Sequence, residues 1–458
     1  MMEGSGDFIR LAAAAAMSAA LGLAIAHPEK GRTAAASVSA KVDAMKPVRA
    51  SLADEACPLG QPPFTNAFAE FDDVLSVSPL GAITAPGEPL PAPYVRVNTK
   101  KDASRIKRRI TIARAPGRAD IVAIERRVQP RVSEDGATGG EVSWRLHLAA
   151  CKDIRFYYDQ LDAIDAGILK AAGGLSAFTE IGGPQHLAIK TQIRVRPGDP
   201  VGVADGFTVG LEDLGAKPVT AARPARYTPN PYIHTAIFDV DPDISEVITL
   251  TPAQARCPLD YLPEPMRRQW TEKLGDVHGL RRARGADACR VAIRDIPGTA
   301  QGAWFTDASH NAATRKVSAI ALTPDAIDPS RLVFSLHGRV KSLTPDMIAL
   351  SPKNSEGREA AAKDFLTFPK GDGRLNAPFS EVAAGPVYCY QKLRATFVGP
   401  EITGVVLLQI DNPLIDGALN GKSGGAPLMK IEARGDVSRC IDLPEPWSFT
   451  GGETTFYR

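Results

Sequence analysis

The chain has no C-x-x-C pair, and its seven histidines show neither H-x-H nor H-E-x-x-H spacing. That excludes a zinc knuckle, a thioredoxin-like redox pair and the helical histidine pair of a zinc peptidase. Aromatic residues make up only 6% of the sequence and do not interleave its one basic run, so no base-stacking surface is indicated. A formal net charge of +2 gives no overall pull toward nucleic acid or an anionic surface. No apolar run beyond residue 26 approaches the roughly 20 residues of a membrane-spanning helix. Long helical patterns are scarce as well, whereas 40 glycines and 37 prolines favour strands and turns.

The one long apolar run is at the start. Leu11 to Ala26, "LAAAAAMSAALGLAIA", ends on the small-x-small pattern Ala24-Ile25-Ala26 of a cleaved export signal. Arg10 is offset there by Glu3 and Asp7, so the plain alternative is an alanine-rich helix. With residues 1–26 as leader, the protein is expected in the periplasm or outside the cell. Cys57, Cys151, Cys257, Cys289, Cys389 and Cys440 fit that compartment as disulfides. Six cysteines allow 15 pairings. Chain order suggests Cys57–Cys151, Cys257–Cys289 and Cys389–Cys440, and six buried free thiols are the alternative.

Residues 27–60 read as a tether and 61–217 as a compact β domain. "VSWRLHLA" alternates strictly, with Val142, Trp144, Leu146 and Leu148 on one face and His147 on the polar one. "DQLDAIDAGILKAA" (159–172) reads as a helix ended by Gly173-Gly174. Residues 218–290 read as a Pro-rich linker holding a short helix at 264–274, with Met266, Trp270 and Leu274 as a packing stripe. Regularly spaced short strands over 291–458 predict a second all-β, sandwich-like domain. The fold class is therefore mainly β, in two domains.

The turn in "RVRPGDPVGVADG" (194–206) reads as a tight β-hairpin. With it, "SVSPLGAITAPGEPLP" (76–91), "TIARAPGRADIVAIERR" (111–127) and "IRFYYDQLDAID" (154–165) stand in the order found in LytM-type (M23 family) peptidases. Residues 71–215, about a third of the chain, resemble that compact β module, which cuts peptidoglycan cross-bridges with zinc. The resemblance implies zinc ligands from a His, an Asp four residues on, and the second His of a late His-x-His pair, with the first His of that pair and another before a Leu assisting the water. Those positions hold Glu88, Ala92, Gly210 with Glu212, and Gln160 ahead of Leu161. Alanine and glycine supply no ligand, and a glutamine side chain cannot take a proton as imidazole does. The implied module is thus a degenerate one, with no metal or other cofactor. Glu88 and Glu212 facing each other, with Asp159 or Asp213 near, would make a calcium site or an acid/base pair on a glycan. Carboxylates on surface loops are the plain alternative.

Other strings fail on context. "GKSGG" (421–425) matches a nucleophile elbow around Ser423, but a strand-like stretch follows instead of a helix. "DVDPDISEVITL" (239–250) has Ile244 and Leu250 where an EF-hand loop needs Gly and Glu. The basic run from Lys100 to Arg131 reads as a solvated face, or as a contact for anionic envelope polymers. The expectation is an exported, non-catalytic envelope protein binding a glycan, a peptide or another protein, with no nucleic acid and no membrane span. An active cell-wall hydrolase, using rearranged ligands or carboxylates, is the rival.

Overall fold

The computed structural model describes residues 50–58, 62–83, 90–101, 108–132, 138–181, 183–219, 252–283, 288–289, 295–306, 319–337, 365–394, 401–411 and 428–458. Residues 1–26 (read above as a leader), Glu88, residues 239–250 and "GKSGG" (421–425) lie outside them. The protein is mainly β, as its turn-rich composition predicts.

Eleven strands build the first region. They are β1 (Val74–Ser78), β2 (Val95–Thr99), β3 (Thr111–Arg114), β4 (Ala119–Val132), β5 (Thr138–Ala149), β6 (Ile154–Leu161), β7 (Ala163–Ile164), β8 (Thr179–Glu180), β9 (His186–Val195), β10 (Pro200–Ala204) and β11 (Gly206–Asp213). Eight form an antiparallel sheet in the order β1-β2-β11-β6-β5-β4-β9-β8, and three form a small sheet, β3-β10-β7. The period-2 alternation of β5 does what its sequence predicts: Trp144, Leu146 and Leu148 are buried in the core with Ile124, Phe156, Tyr158 and Val209.

Two local readings need correcting. The 159–172 helix starts late, because "DQL" continues β6 and only Ala166–Ala171 (α1) is helical. Asp165 caps it by accepting from the N–H groups of Gly167 and Ile168. The chain then leaves through Gly173 and Gly174, both at positive φ. The Pro197-Gly198-Asp199 turn exists, closed by an Asp199 N–H to Arg196 carbonyl bond of 3.1 Å. It does not make a simple hairpin, since β9 lies in the large sheet while β10 pairs with β3 and β7.

The tether and linker are also packed where they are described. Leu52 is buried and its N–H donates to Asp120 Oδ2 at 2.8 Å. Helix α2 (Glu264–Thr271) buries Trp270, whose ring meets Phe68 edge-on at 5.5 Å. Leu274 is buried and Met266 packs beside the same core, so the predicted stripe is a packing stripe.

The second region has β12 (Gly302–Phe305), β13 (Ala319–Pro324), β14 (Arg331–His337), β15 (Phe365–Pro369), β16 (Tyr388–Tyr390), β17 (Val405–Asp411), β18 (Leu428–Arg434) and β19 (Thr454–Tyr457). They form one antiparallel sheet, β15-β14-β13-β12-β19-β18-β17-β16. Its two ends meet: the rings of Phe368 of β15 and Tyr390 of β16 lie edge to face with centroids 5.1 Å apart, and Thr367 bridges to Arg394. The sheet is therefore curled almost closed around an aromatic core of Phe334, Phe368, Phe379 and Tyr390. Its halves face each other as the layers of a sandwich do.

All three disulfides follow chain order: Cys57–Cys151, Cys257–Cys289 and Cys389–Cys440. They suit an oxidising environment. Among the described residues, no helix is long and apolar enough to cross a membrane.

Candidate functional site

The face of the large sheet opposite the apolar core carries the unusual chemistry. Alternation in β4 places Glu125 and Arg127 there, in β5 Arg145 and His147, and in β6 Tyr157 and Asp159. Register brings them together: Glu125 lies opposite Arg145, Arg127 opposite His186 of β9, and His147 opposite Tyr157. A shift between Trp144 and Leu146 swings the end of β6 so that Asp159 reaches Arg145.

The side chains form one connected network. Glu125 is fully buried and accepts from His147 Nε2 at 2.6 Å and His186 Nε2 at 2.7 Å. Arg145, also fully buried, donates to Asp159 Oδ2 at 2.6 Å and lies 3.5 Å from Glu125 Oε1. Arg127 pairs with the other Asp159 oxygen, which also accepts the Gln160 N–H at 2.7 Å. The Arg145 guanidinium sits 5.5 Å from the centre of the Tyr157 ring.

Burial works against every charge here, so the pairing decides the protonation states. Burial pushes the Glu125 carboxyl up, but Arg145 and the two imidazoles outweigh it and hold it well below the usual carboxylate range. Burial likewise opposes ionised Asp159, and Arg127 with Arg145 overrides it. For His147 burial wins: its imidazole is held below the ordinary value despite Glu125, with Arg145 adding to the effect. Two cations thus balance two carboxylates, and His147 stays neutral near pH 7.

The positions singled out by the LytM resemblance are scattered by comparison. Ala92 and Tyr94 pack against Tyr157. Gly210 lies directly opposite Tyr157, where a Cβ would come within 2.1 Å of the ring's Cε1 and Cζ. Gln160 adopts a left-handed φ of 63° at the end of β6 and accepts a hydrogen bond from Arg96. Glu212 is buried on β11, paired with Arg155 and bridged to Ala255. Asp213 accepts from the Tyr261 hydroxyl at 2.6 Å, which helps burial raise that phenol. Asp159 and Asp213 stand at opposite ends of the β6–β11 ladder, so they do not share a cleft. Glu88 is outside the described residues.

His147, expected on the polar face of its strand, is hydrogen-bonded to Glu125 there. Glu125, Arg127, Arg145, Tyr157 and His186 escaped sequence reasoning as a group. The available signal was the matching Glu-x-Arg in β4 and Arg-x-His in β5, charged pairs at strand period on neighbouring strands. The basic run is dispersed: Arg127 joins the network, Arg114 pairs with Glu70 at 3.0 Å, and Arg108 donates to the Thr99 and Val277 carbonyls. Among the described residues, no group of three or more His, Cys, Asp or Glu side chains is arranged to hold a metal ion. Compared with protein-family models, curated proteins and solved structures, the chain matches none.

Proposed function

We propose that this chain is an exported envelope protein whose first domain is a LytM-like module that binds a glycan, peptide or protein without metal hydrolysis. The reading rests chiefly on Tyr157. Its ring lies against Ala92 and over Gly210, positions that the LytM resemblance would give to a metal ligand and to a water-assisting histidine. Any side chain at 210 would meet the ring, so an imidazole there has no room. The neighbouring carboxylates and imidazoles are already committed to Arg127, Arg145 and one another, which leaves them poor candidates for replacing lost ligands. Three disulfides and the apolar leader support a periplasmic or extracellular location.

Elemental analysis after dialysis against trace zinc, combined with sedimentation on insoluble peptidoglycan, tests the reading. The expected result is no stoichiometric metal, no release of soluble fragments, and chain carried down with the polymer. Near-stoichiometric zinc with cross-bridge cleavage would replace it with the hydrolase reading. Absence of both binding and cleavage would move the ligand search to proteins and away from the wall.

A further inference from the structure

Two histidines from different strands converge on one fully buried carboxylate: His147 of β5 and His186 of β9, both on Glu125 of β4. His186 lies at the rim of the network, with its side chain 12% exposed. His147 is enclosed. The groups facing it are Glu125 and Arg127 of β4, Arg145 of its own strand, Tyr157 and Asp159 of β6, and Lys190 of β9, which shares its row through Ala123. Arg155 and Glu212 stand one step further along the same face.

The enclosed part of that surround is already neutral, two guanidinium groups against two carboxylates, and Lys190 at its exposed edge adds only positive charge. A proton on His147 adds an uncompensated buried charge beside Arg145, while Glu125 is shared among three donors and cannot neutralise it fully. In a locally opened sheet the same imidazole is hydrated and takes up its proton at the ordinary value of about 6.5. Acid therefore favours opening.

We propose that Glu125, His147 and His186 form an acid-sensitive clasp, in which protonation of His147 below about pH 6.5 loosens the joint between β4, β5 and β9. The second sheet contains no counterpart among its described residues and stays closed over the same range.

Amide hydrogen exchange on the full chain, corrected for the intrinsic pH dependence of exchange, reads this directly. Between pH 7.5 and 5.5 the opening equilibrium for residues 145–149 and 186–190 should rise by up to about tenfold. Residues 405–411 should not change. In His147→Gln, whose amide can still donate to Glu125 but cannot take a proton, the rise should disappear. Equal pH dependence in the two proteins, or none in the native chain, would overturn the clasp. Should the variant fail to fold, titration of the native imidazoles by NMR decides: His147 protonating at or above 6.5 refutes it, and well below supports it.

Discussion

Replacing Arg145 by methionine keeps most of the side-chain stem and removes only the guanidinium. In the native sheet that group is fully buried and serves two carboxylates, Asp159 at 2.6 Å and Glu125 at 3.5 Å. Asp159 retains Arg127 in the variant, but Glu125 is left with two imidazoles and no cation. Stranding one buried charge costs about 3–5 kcal/mol, which lowers the first domain's melting temperature by on the order of 10 °C. The pH dependence then gives a second, independent check. Without Arg145, both Glu125 and His147 take protons more readily in the folded state, since Arg145 opposes protonation of each. Groups whose folded affinity for protons rises contribute stability at lower pH and lose it as pH increases. The deficit relative to the native chain should therefore shrink between pH 7.5 and pH 5.5. Calorimetry at the two pH values measures both quantities. A deficit below about 1 kcal/mol, or one that is the same at both pH values, would refute the account of the network as a set of interdependent buried charges.

Gly210→Ala should destabilise the first domain by about 1–3 kcal/mol through overpacking against Tyr157, seen as a lower urea midpoint. An unchanged midpoint would mean that the ring moves freely, and the argument against an imidazole at position 210 would fail with it. Trp270→Ala should cost about 3–5 kcal/mol, because the indole is buried against Phe68 and Phe71 and anchors α2 to the first core. Limited proteolysis should then cut within 258–275 before any other described segment, and unaltered resistance would show that α2 is held by other contacts.

Several features were legible in the chain before any tertiary information. Period-2 alternation in "VSWRLHLA" identified the buried face of β5, and the i, i+4, i+8 stripe identified the packing face of α2. Cysteines well separated along the chain, two per region, paired in sequence order. The two packing faces are local properties, because a strand's pleat or a helix's turn fixes which residues share a face, whatever lies opposite. The misread stretches were decided from outside. "DQLDAID" has an acceptable helical pattern, yet pairing with β5 and β11 extends β6 through Leu161. The hairpin-like turn at 197–199 sends its two arms into different sheets, a choice that its own residues do not specify.

The polar network belongs wholly to the second kind. Alternation puts Glu125 with Arg127, and Arg145 with His147, opposite the apolar core, and for a two-layer sheet that face would ordinarily be wet. The sequence thus determined a mainly β chain and its apolar faces, and offered its disulfide pairing only as one suggestion among 15. Register between strands up to 61 residues apart decided that Glu125 meets both His147 and His186. Enclosure of that face turned ordinary charged positions into a coupled set, because only away from water do charges depend this strongly on one another.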